Sequence, residues 1–414
     1  MLKDYKTVVK NKNFVYIWVS QIFSQLTINI MNFVLLTRLF EATGSAISTS
    51  LLWVAYALPA MIIGPFASGI IDLVNKRNIL IVANLLQALT ILIFAFTQHS
   101  NIFVIYEVVF IYSFLNQFYV PAEASTLPTV LEGKKLTNGN SLFFITQQGS
   151  LVLGFAVAGL LKSALGFQNT LFLCAGFLFI AFLSTVFLPD IKSEKKLSGE
   201  LDEALFSFFN HIKEGYNFIK NERRVLTPVL LLLGFQVALQ LCVVQFPILA
   251  KNILSIPLNA AGIYILAPAG IGAVIAAVTL PRLLKKNMRK KTIIDASLLI
   301  IAGSLLIITF IAPLFPYLIK TMISLAMFIA LGFGFVGILI PSQTFLQEST
   351  PEDFRGRVFG NFSFLVIVTS VLPVLFSGSI VELFGIKSLL LTLSLFVIAV
   401  YVFSKKFGDR FLNG

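Results

Sequence analysis

A short charged turn between two apolar stretches carries the first residues whose types and spacing suggest chemistry. In the run GPFASGIIDLVNKR at 64–77, Asp72 is followed by Lys76 and Arg77. An acid and two bases placed where apolar helices end can form ion pairs with a facing element and break them again. Because such pairs bias an equilibrium between two conformations, the turn is typical of a gate and not of a catalytic centre.

Carboxamide side chains form a polar stripe on the first long apolar segment, and two more stand roughly half a chain later. The four members of the stripe fall within about 80° of arc on one helix face. Such groups need hydrogen-bond partners in an apolar surrounding, so they either join helices to one another or line a polar cavity. Four in a row favour the cavity wall. The residues predicted to line it are Gln21, Gln25, Asn29, Asn32, Gln236 and Gln240.

Two glutamates fall within a later apolar segment, 102–125. Glu107 lies near the end that the loop charges place outside. A charged acid deep in a bilayer costs roughly 2.5–3.5 kcal/mol, and acids kept there often mark proton pathways. Glu107 is therefore the candidate for proton coupling, with the alternative that it reaches headgroup water from its shallow position. Glu123 stands near the cytoplasmic end, where an ion pair with Lys76 or Arg77 is expected.

The elements that must hold these residues are membrane-spanning helices. Of the 414 residues, 57% are hydrophobic and 12% are charged, and the mean hydropathy is +0.91. A soluble domain has about a quarter of its residues charged. A helix needs about 20 apolar residues to cross the bilayer, and twelve such segments fit between residues 14 and 404. The sequence therefore predicts an all-α membrane protein with twelve transmembrane helices.

Basic residues are distributed unevenly across the loops. With the first loop taken as outside, most of the 31 Lys and Arg residues lie on the cytoplasmic side, which is the asymmetry that orients membrane helices. The pattern predicts a multi-pass protein of the cell membrane with cytoplasmic N- and C-termini. The net charge of +12 then reflects topology and attraction to anionic lipid, and no nucleic-acid partner is expected. The outer side carries only Arg38, Lys162, Lys251, Lys320 and Lys387.

The chain divides into two similar halves around a polar stretch. Residues 190–224 carry the longest charged segment, and apolar residues at helical spacing within it predict an amphipathic helix at the inner membrane face. On either side, glutamine pairs and prolines recur roughly half a chain apart, which indicates two pseudo-symmetric, parallel six-helix repeats. The predicted domains are an N-terminal six-helix bundle at 1–189, a cytoplasmic linker at 190–224 and a C-terminal six-helix bundle at 225–414.

Several runs resemble the major facilitator superfamily, and the resemblance covers essentially the whole chain. The turn at 64–77 resembles that family's signature between the second and third helices, in which an acid precedes a basic pair. SQIFS in the first helix, TGSA at 43–46, the Pro–Ala pair at 121–122 and TPEDFRGRVFG at 350–360 resemble an exporter branch that includes macrolide and enterobactin exporters. Glu123 departs from that branch, in which an arginine often follows the Pro–Ala pair.

The resemblance implies a major facilitator fold, in which two bundles rock about a central cavity. It also implies that Asp72 caps the cytoplasmic start of the eleventh helix near 356–360 in one state, since a helix start favours negative charge. The other members of the implied inner charge network are Lys76, Arg77, Glu123, Arg355 and Arg357.

The expected function is secondary active transport by alternating access, with export of an amphiphilic small molecule of the drug, macrolide or siderophore type. Neutral amides and 42 phenylalanines suit a weakly charged substrate, and a proton gradient is the expected driving force, with no cofactor. We expect the protein to act as a monomer in the lipid bilayer. The alternatives are a lipid or lysolipid flippase on the same fold and a non-transporting membrane scaffold or sensor. The sequence shows neither a metal-ligand cluster nor a nucleophile–base arrangement, so an enzyme is not expected.

Overall fold

The computed structural model describes residues 2–71, 74–97, 101–190, 212–285 and 288–411, and every regular element in these ranges is helical. The helices of the first half are α1 (Leu2–Val9), α2 (Lys12–Thr43), α3 (Ala46–Ile62), α4 (Gly64–Ile71), α5 (Lys76–Thr97), α6 (Phe103–Val130) and α7 (Gly133–Val186).

The helices of the second half are α8 (212–221), α9 (Arg223–Val244), α10 (Phe246–Leu249), α11 (Ala267–Lys285), α12 (Lys290–Leu306), α13 (Tyr317–Ser349), α14 (Glu352–Phe384) and α15 (Ile386–Phe411). Short π-helical and 3-10 turns connect some of them. They are Ala250–Leu254, Leu258–Ala260 and Gly262–Leu266 before α11, and Ile307–Ile311 and Ala312–Leu314 after α12.

Ten helices among the described residues are long and apolar enough to cross a membrane. One of them, Lys135–Val186, has 52 residues and contains a kink at Gly166, where φ is +82°. The shorter helix α3 has 17 residues and is followed directly by α4. The prediction of an all-helical membrane protein is confirmed. The count of twelve spans stays a prediction.

The two halves share one local device. Gly166 lies within α7 at φ +82° and ψ 169°, and Gly385 separates α14 from α15 at φ +80° and ψ 163°. Only glycine adopts this region without strain, so each half has a glycine in the same backbone conformation before its last helical segment. This equivalence is what two parallel repeats of one ancestral unit would retain.

The chain packs as two compact units. The first unit comprises Met1–Ala42 and Val54–Phe209, and the second comprises Thr43–Trp53 and Asn210–Gly414. The division after Phe209 falls inside the predicted linker, of which residues 191–211 lie outside the described part of the chain. The sequence did not predict that the first part of α3 packs in the second unit.

Backbone contact between α11 and α13 organises the second unit. A Cβ added at Gly272 would overlap the carbonyl group of Ile329, and one added at Gly332 would overlap that of Ala269. Small residues of this kind let membrane helices approach closely. The helix α12 also packs against α13.

Candidate functional site

The polar stripe of α2 is divided between bonded and unbonded amides. Gln21 is 5% exposed and donates from Nε2 to the Phe143 carbonyl oxygen of α7 at 3.3 Å. Asn29 is 7% exposed and donates to the Gln25 carbonyl oxygen of its own helix at 2.7 Å. The side chains of Gln25 and Asn32 are half-buried and make no hydrogen bond to another described residue. Gln21 and Asn29 thus bind protein, and Gln25 and Asn32 have side-chain donors and acceptors that no described residue uses.

The glutamines of α9 resemble Gln25 and Asn32 in burial and in hydrogen bonding. Gln236 and Gln240 are half-buried, and neither side chain hydrogen bonds to a described residue. An amide supplies two donors and an acceptor with two lone pairs, without a net charge. Each unit therefore has one helix with two neutral amides whose side chains bond to no described residue.

Glu123 belongs to a buried hydrogen-bond chain that joins three helices of the first unit. Its side chain lies in α6, and the residue is 6% exposed. Tyr119, one turn earlier, donates its hydroxyl to Glu123 Oε1 at 2.7 Å. The Tyr119 hydroxyl lies 3.0 Å from Ser20 Oγ of α2, which accepts from Asn84 Nδ2 of α5 at 3.1 Å. Within the described ranges, Glu123 has no ion pair.

The structure does not show the expected ion pair of Glu123 with Lys76 or Arg77 among the described residues. Arg77 Nη1 instead pairs with Asp190 at 2.9 Å, and its Nη2 donates to the Val186 carbonyl oxygen at the end of α7 at 2.7 Å. Lys76 donates to a backbone carbonyl oxygen of α6 at 3.4 Å. A guanidinium presents several donors in a planar fork, so a carboxylate and a helix-end carbonyl together satisfy Arg77 better than a buried acid does.

The two arginines at the start of α14 find partners within the second unit. Arg357 Nη1 lies 2.8 Å from Glu214 Oε2 of α8, and Arg355 donates from Nε to the Thr350 carbonyl oxygen at 3.3 Å. The sequence analysis placed both arginines in the inner charge network and did not identify Glu214. Asp72, the acid expected to cap this helix start, lies outside the described residues, so its capping role stays a prediction.

The helix α8 packs on protein. The ring of Phe218 stacks on that of Phe354 at the start of α14, with centroids 4.6 Å apart. Ile219 is 3% exposed and belongs to a buried cluster with residues of α9 and α14. Ile219 of this segment is therefore buried against the second unit, whereas Tyr216 of the same helix is 48% exposed, and the helix at the inner membrane face stays a prediction.

Glu107 lies on the exposed face of α6. It is exposed, as are Phe103, Phe110 and Phe114 on the same side of the helix. It forms no ion pair with another described residue. The structure thus places Glu107 among apolar side chains near the helix end, the position from which a carboxylate can reach headgroup water.

The start of α3 is capped by Glu382, and both belong to the second unit. Glu382 Oε2 of α14 accepts from Ser45 Oγ at 2.9 Å and from the Ile47 backbone N–H at 3.2 Å. The first N–H groups of a helix have no partner within the helix, so Glu382 satisfies one of them and places its charge at the positive end of the helix.

A buried glutamine and a glycine hold the next turn of α3 against α14. Gln245 is 1% exposed, and its Nε2 lies 3.0 Å from Ser50 Oγ and 3.1 Å from Ser377 Oγ. A Cβ added at Gly378 would lie 2.6 Å from Ser50 Oγ and 2.9 Å from the Ala46 carbonyl oxygen. We call these interactions, together with the Glu382 cap, the α3–α14 contact.

A second buried charge lies in the first unit, at the end of α2 that the loop charges place outside. Lys162 Nζ of α7 donates to both carboxylate oxygens of Glu41 at 2.8 Å and to Thr37 Oγ1 at 3.1 Å. The lysine side chain is 9% exposed and that of Glu41 is 36% exposed. All three donors of the ammonium group are used, so this charge is bound within the fold.

The chain belongs to the Major Facilitator Superfamily, which residues 17–372 match. It is therefore a multi-pass membrane transporter and not an enzyme. The resemblance seen in the sequence is confirmed, and the fold is that of the family. Over 94% of this chain, the structure superposes on 98% of a variant of the nucleoside transporter NupG with a TM-score of 0.75 at 15% sequence identity.

Two relatives are efflux proteins. The chain is 24% identical over 372 residues to the multidrug efflux pump Tap of Mycolicibacterium fortuitum, and the match covers 86% of each protein. It is 29% identical over 153 residues to macrolide efflux protein A of Streptococcus pyogenes, which covers 36% of this chain and 38% of that protein.

Proposed function

We propose that this protein is a secondary transporter that exports an amphiphilic, weakly charged small molecule by alternating access. The observation that carries the proposal is a set of half-buried amides that bond to no described residue, Gln25 and Asn32 in one unit and Gln236 and Gln240 in the other. Two relatives named for efflux, one of multiple drugs and one of macrolides, support export over import.

The chemistry of these amides defines the class of substrate. Neutral amides hydrogen bond to hydroxyl, carbonyl and amine groups without requiring a counter-charge. A dianion such as a sugar phosphate would need intramembrane arginine or lysine for charge-assisted bonds. Two basic groups of the first unit are already engaged, Lys162 with Glu41 and Arg77 with Asp190. A large apolar molecule with a few polar groups suits amides of this kind best.

The proposed topology has twelve spans. The pair α3 and α4 forms one span, and Lys135–Val186 forms two that meet at Gly166. The excess of Lys and Arg in alternate loops favours the cell membrane and cytoplasmic termini. The protein acts as a monomer without a cofactor, and a proton gradient supplies the free energy for export.

Transport by purified protein in proteoliposomes tests the proposal. The probes are ethidium and a radiolabelled macrolide, with a fluorescent lysolipid to detect flippase activity. We expect both drugs, and not the lysolipid, to be carried. Transport of the lysolipid alone would replace the export proposal with the flippase, and transport of none would favour the scaffold or sensor.

Substitutions of single amides locate the binding site. Gln25→Ala and Gln236→Ala each remove one hydrogen bond, worth about 0.6 kcal/mol on average between membrane helices, so the KM for a drug should rise about threefold. Asn169→Ala is the matched control, because this exposed amide bonds only to the Leu165 carbonyl oxygen of its own helix. Equal KM values for all three variants would place the binding site elsewhere.

A further inference from the structure

We propose that Glu123 is a proton-binding site of this protein and that its proton reverses the hydrogen-bond chain Glu123–Tyr119–Ser20–Asn84. The coupling of this proton to export rests on the proposed function, whereas the site itself does not. Sequence reasoning had placed Glu123 in the charge network of the gate and had chosen Glu107 for the proton.

The surroundings of Glu123 disfavour a permanent charge. The side chain is buried, and its neighbours Tyr119, Ala122 and Leu127 on the same helix belong to the hydrophobic core of the first unit. A carboxylate that leaves water without a cation loses more hydration energy than one hydrogen bond restores. Glu123 Oε1 accepts one such bond, from Tyr119, and no basic group of the described residues pairs with it. The burial therefore favours the neutral acid, and the hydroxyl of Tyr119 favours the carboxylate.

The titratable and charged groups near this site are few. On its own helix the neighbour is Tyr119. At the start of the packed helix α5 stand Lys76, bonded to a backbone carbonyl oxygen, and Arg77, paired with Asp190. The helix α2 contributes the uncharged Ser20 hydroxyl to the chain. Asp72 precedes α5 in the sequence and lies outside the described residues.

The chain of hydrogen bonds has a direction in the structure. Tyr119 has one hydroxyl proton, and it is donated to Glu123. Ser20 must therefore donate to Tyr119, and Asn84 Nδ2 donates to Ser20. Every donor points toward the carboxylate, which is the arrangement that stabilises the ionised form.

One atom shows how the same chain accommodates the neutral acid. Asn84 Oδ1 is buried and has no hydrogen-bond partner among the described residues. If the amide turns over, this oxygen can accept from Ser20, whose hydroxyl then accepts from Tyr119. Tyr119 in turn accepts from the protonated carboxyl group, because hydroxyl groups both donate and accept. Each bond survives with its direction reversed, and Asn84 Nδ2 then takes the position without a described partner that Oδ1 held before.

The consequence is a switch shared by three helices. Binding of a proton at Glu123 changes the polarity of the contacts that join α6 to α2, and α2 to α5, without adding a buried charge. Ser20 lies in the same helix as Gln25 and Asn32. A change in the hydrogen bonds of Ser20 therefore acts on the helix that carries these two amides. Glu107 has no comparable surroundings, because it lies exposed among phenylalanines.

Infrared difference spectroscopy of the purified full-length protein in proteoliposomes tests the site directly. Lowering the pH should produce the C=O stretching band of a protonated carboxyl group. We expect Glu123→Gln to abolish this band and Glu107→Gln, the matched control in the same helix, to retain it. Tyr119→Phe should keep the band and shift its frequency, because one hydrogen-bond partner of the carboxyl group is lost. Thermal unfolding of each variant confirms that it is folded.

Two spectroscopic results would overturn the proposal. One is a wild-type protein that shows no band removed by Glu123→Gln, and the other is a band that disappears in Glu107→Gln. Proton-driven efflux of ethidium provides the second readout, in which Glu123→Gln should lose the component that depends on the pH gradient while retaining exchange without a gradient. Gradient-driven efflux at the wild-type rate by Glu123→Gln would also contradict the proposal. If the wild type carries no drug but the Glu123 band titrates, the proposed function fails and the proton site stands.

Discussion

Replacement of Gly378 by alanine should weaken the α3–α14 contact selectively. The added Cβ would lie 2.9 Å from the Ala46 carbonyl oxygen and 3.0 Å from the Ile47 Cα atom. Both atoms belong to the backbone of α3, so no side-chain rotation relieves the overlap. Such overpacking typically costs about 1–3 kcal/mol. Since the overlap exists only while α3 lies on α14, the population in which the two helices separate should rise about 5- to 150-fold.

Gly360→Ala provides the matched control, because this glycine lies in the same helix and has no atom within 4 Å of an added Cβ. Both substitutions raise helix propensity equally, so only the contact distinguishes them. The assay is the alkylation rate of Thr49→Cys by N-ethylmaleimide, after replacement of Cys174 and Cys242 by alanine. Thr49 is fully buried in the structure, so its alkylation reports the separated population when opening is fast.

We expect faster alkylation in Gly378→Ala than in Gly360→Ala, by the factor given above. Equal rates in both variants would refute the reasoning, since they would show that the close approach at Gly378 does not determine the stability of the contact.

Three further changes test the packing of each unit. Lys162→Met removes the ion pair with Glu41 and should lower the free energy of unfolding in detergent; the loss should be only about 1 kcal/mol, because partly exposed Glu41 keeps some hydration. Lys162→Arg should retain the stability of the wild type. A Lys162→Met variant as stable as the wild type would contradict the role of the pair. A double-mutant cycle of Arg357→Ala and Glu214→Ala should give a coupling of about 0.2–1 kcal/mol that salt reduces, whereas zero coupling would show that the pair adds nothing to docking of α8. Gly272→Ala should cost about 1–3 kcal/mol or more, measured as a lower unfolding midpoint, and a midpoint equal to that of the wild type would argue against backbone contact of α11 with α13.

Much of the fold is predictable from the sequence because long apolar segments in a membrane have few alternatives to a helix. The break between α3 and α4 is also explicable, since Pro65 cannot donate a backbone hydrogen bond and disfavours a helical residue before it. The twelve predicted segments include 138–164 and 168–189, although no polar loop separates the two parts of α7. The kink at Gly166 lies between these two segments.

Partners on other helices were not predictable. Tyr119 lies one turn before Glu123, a spacing that a sequence reader could use. Ser20 and Asn84, in contrast, come from α2 and α5, and only the packing of these helices brings them into the chain. For the same reason the sequence could propose acids for Arg357 but could not select Glu214.

The α3–α14 contact was missed for a different reason. Glu382 and Gln245 stand alone in apolar surroundings, and a lone polar residue near a helix end is most often solvated. Their role follows from the division of α3 between the two units, which the symmetry of two six-helix halves does not suggest.

The central claim is that the protein exports a weakly charged amphiphile, and proton-driven transport of a radiolabelled macrolide by purified protein in proteoliposomes tests it most directly. The account predicts accumulation of the macrolide against its concentration gradient when a proton gradient of opposite direction is imposed, and loss of accumulation when a protonophore collapses that gradient. Equilibration no faster than in protein-free liposomes, under a gradient of either direction, would contradict it.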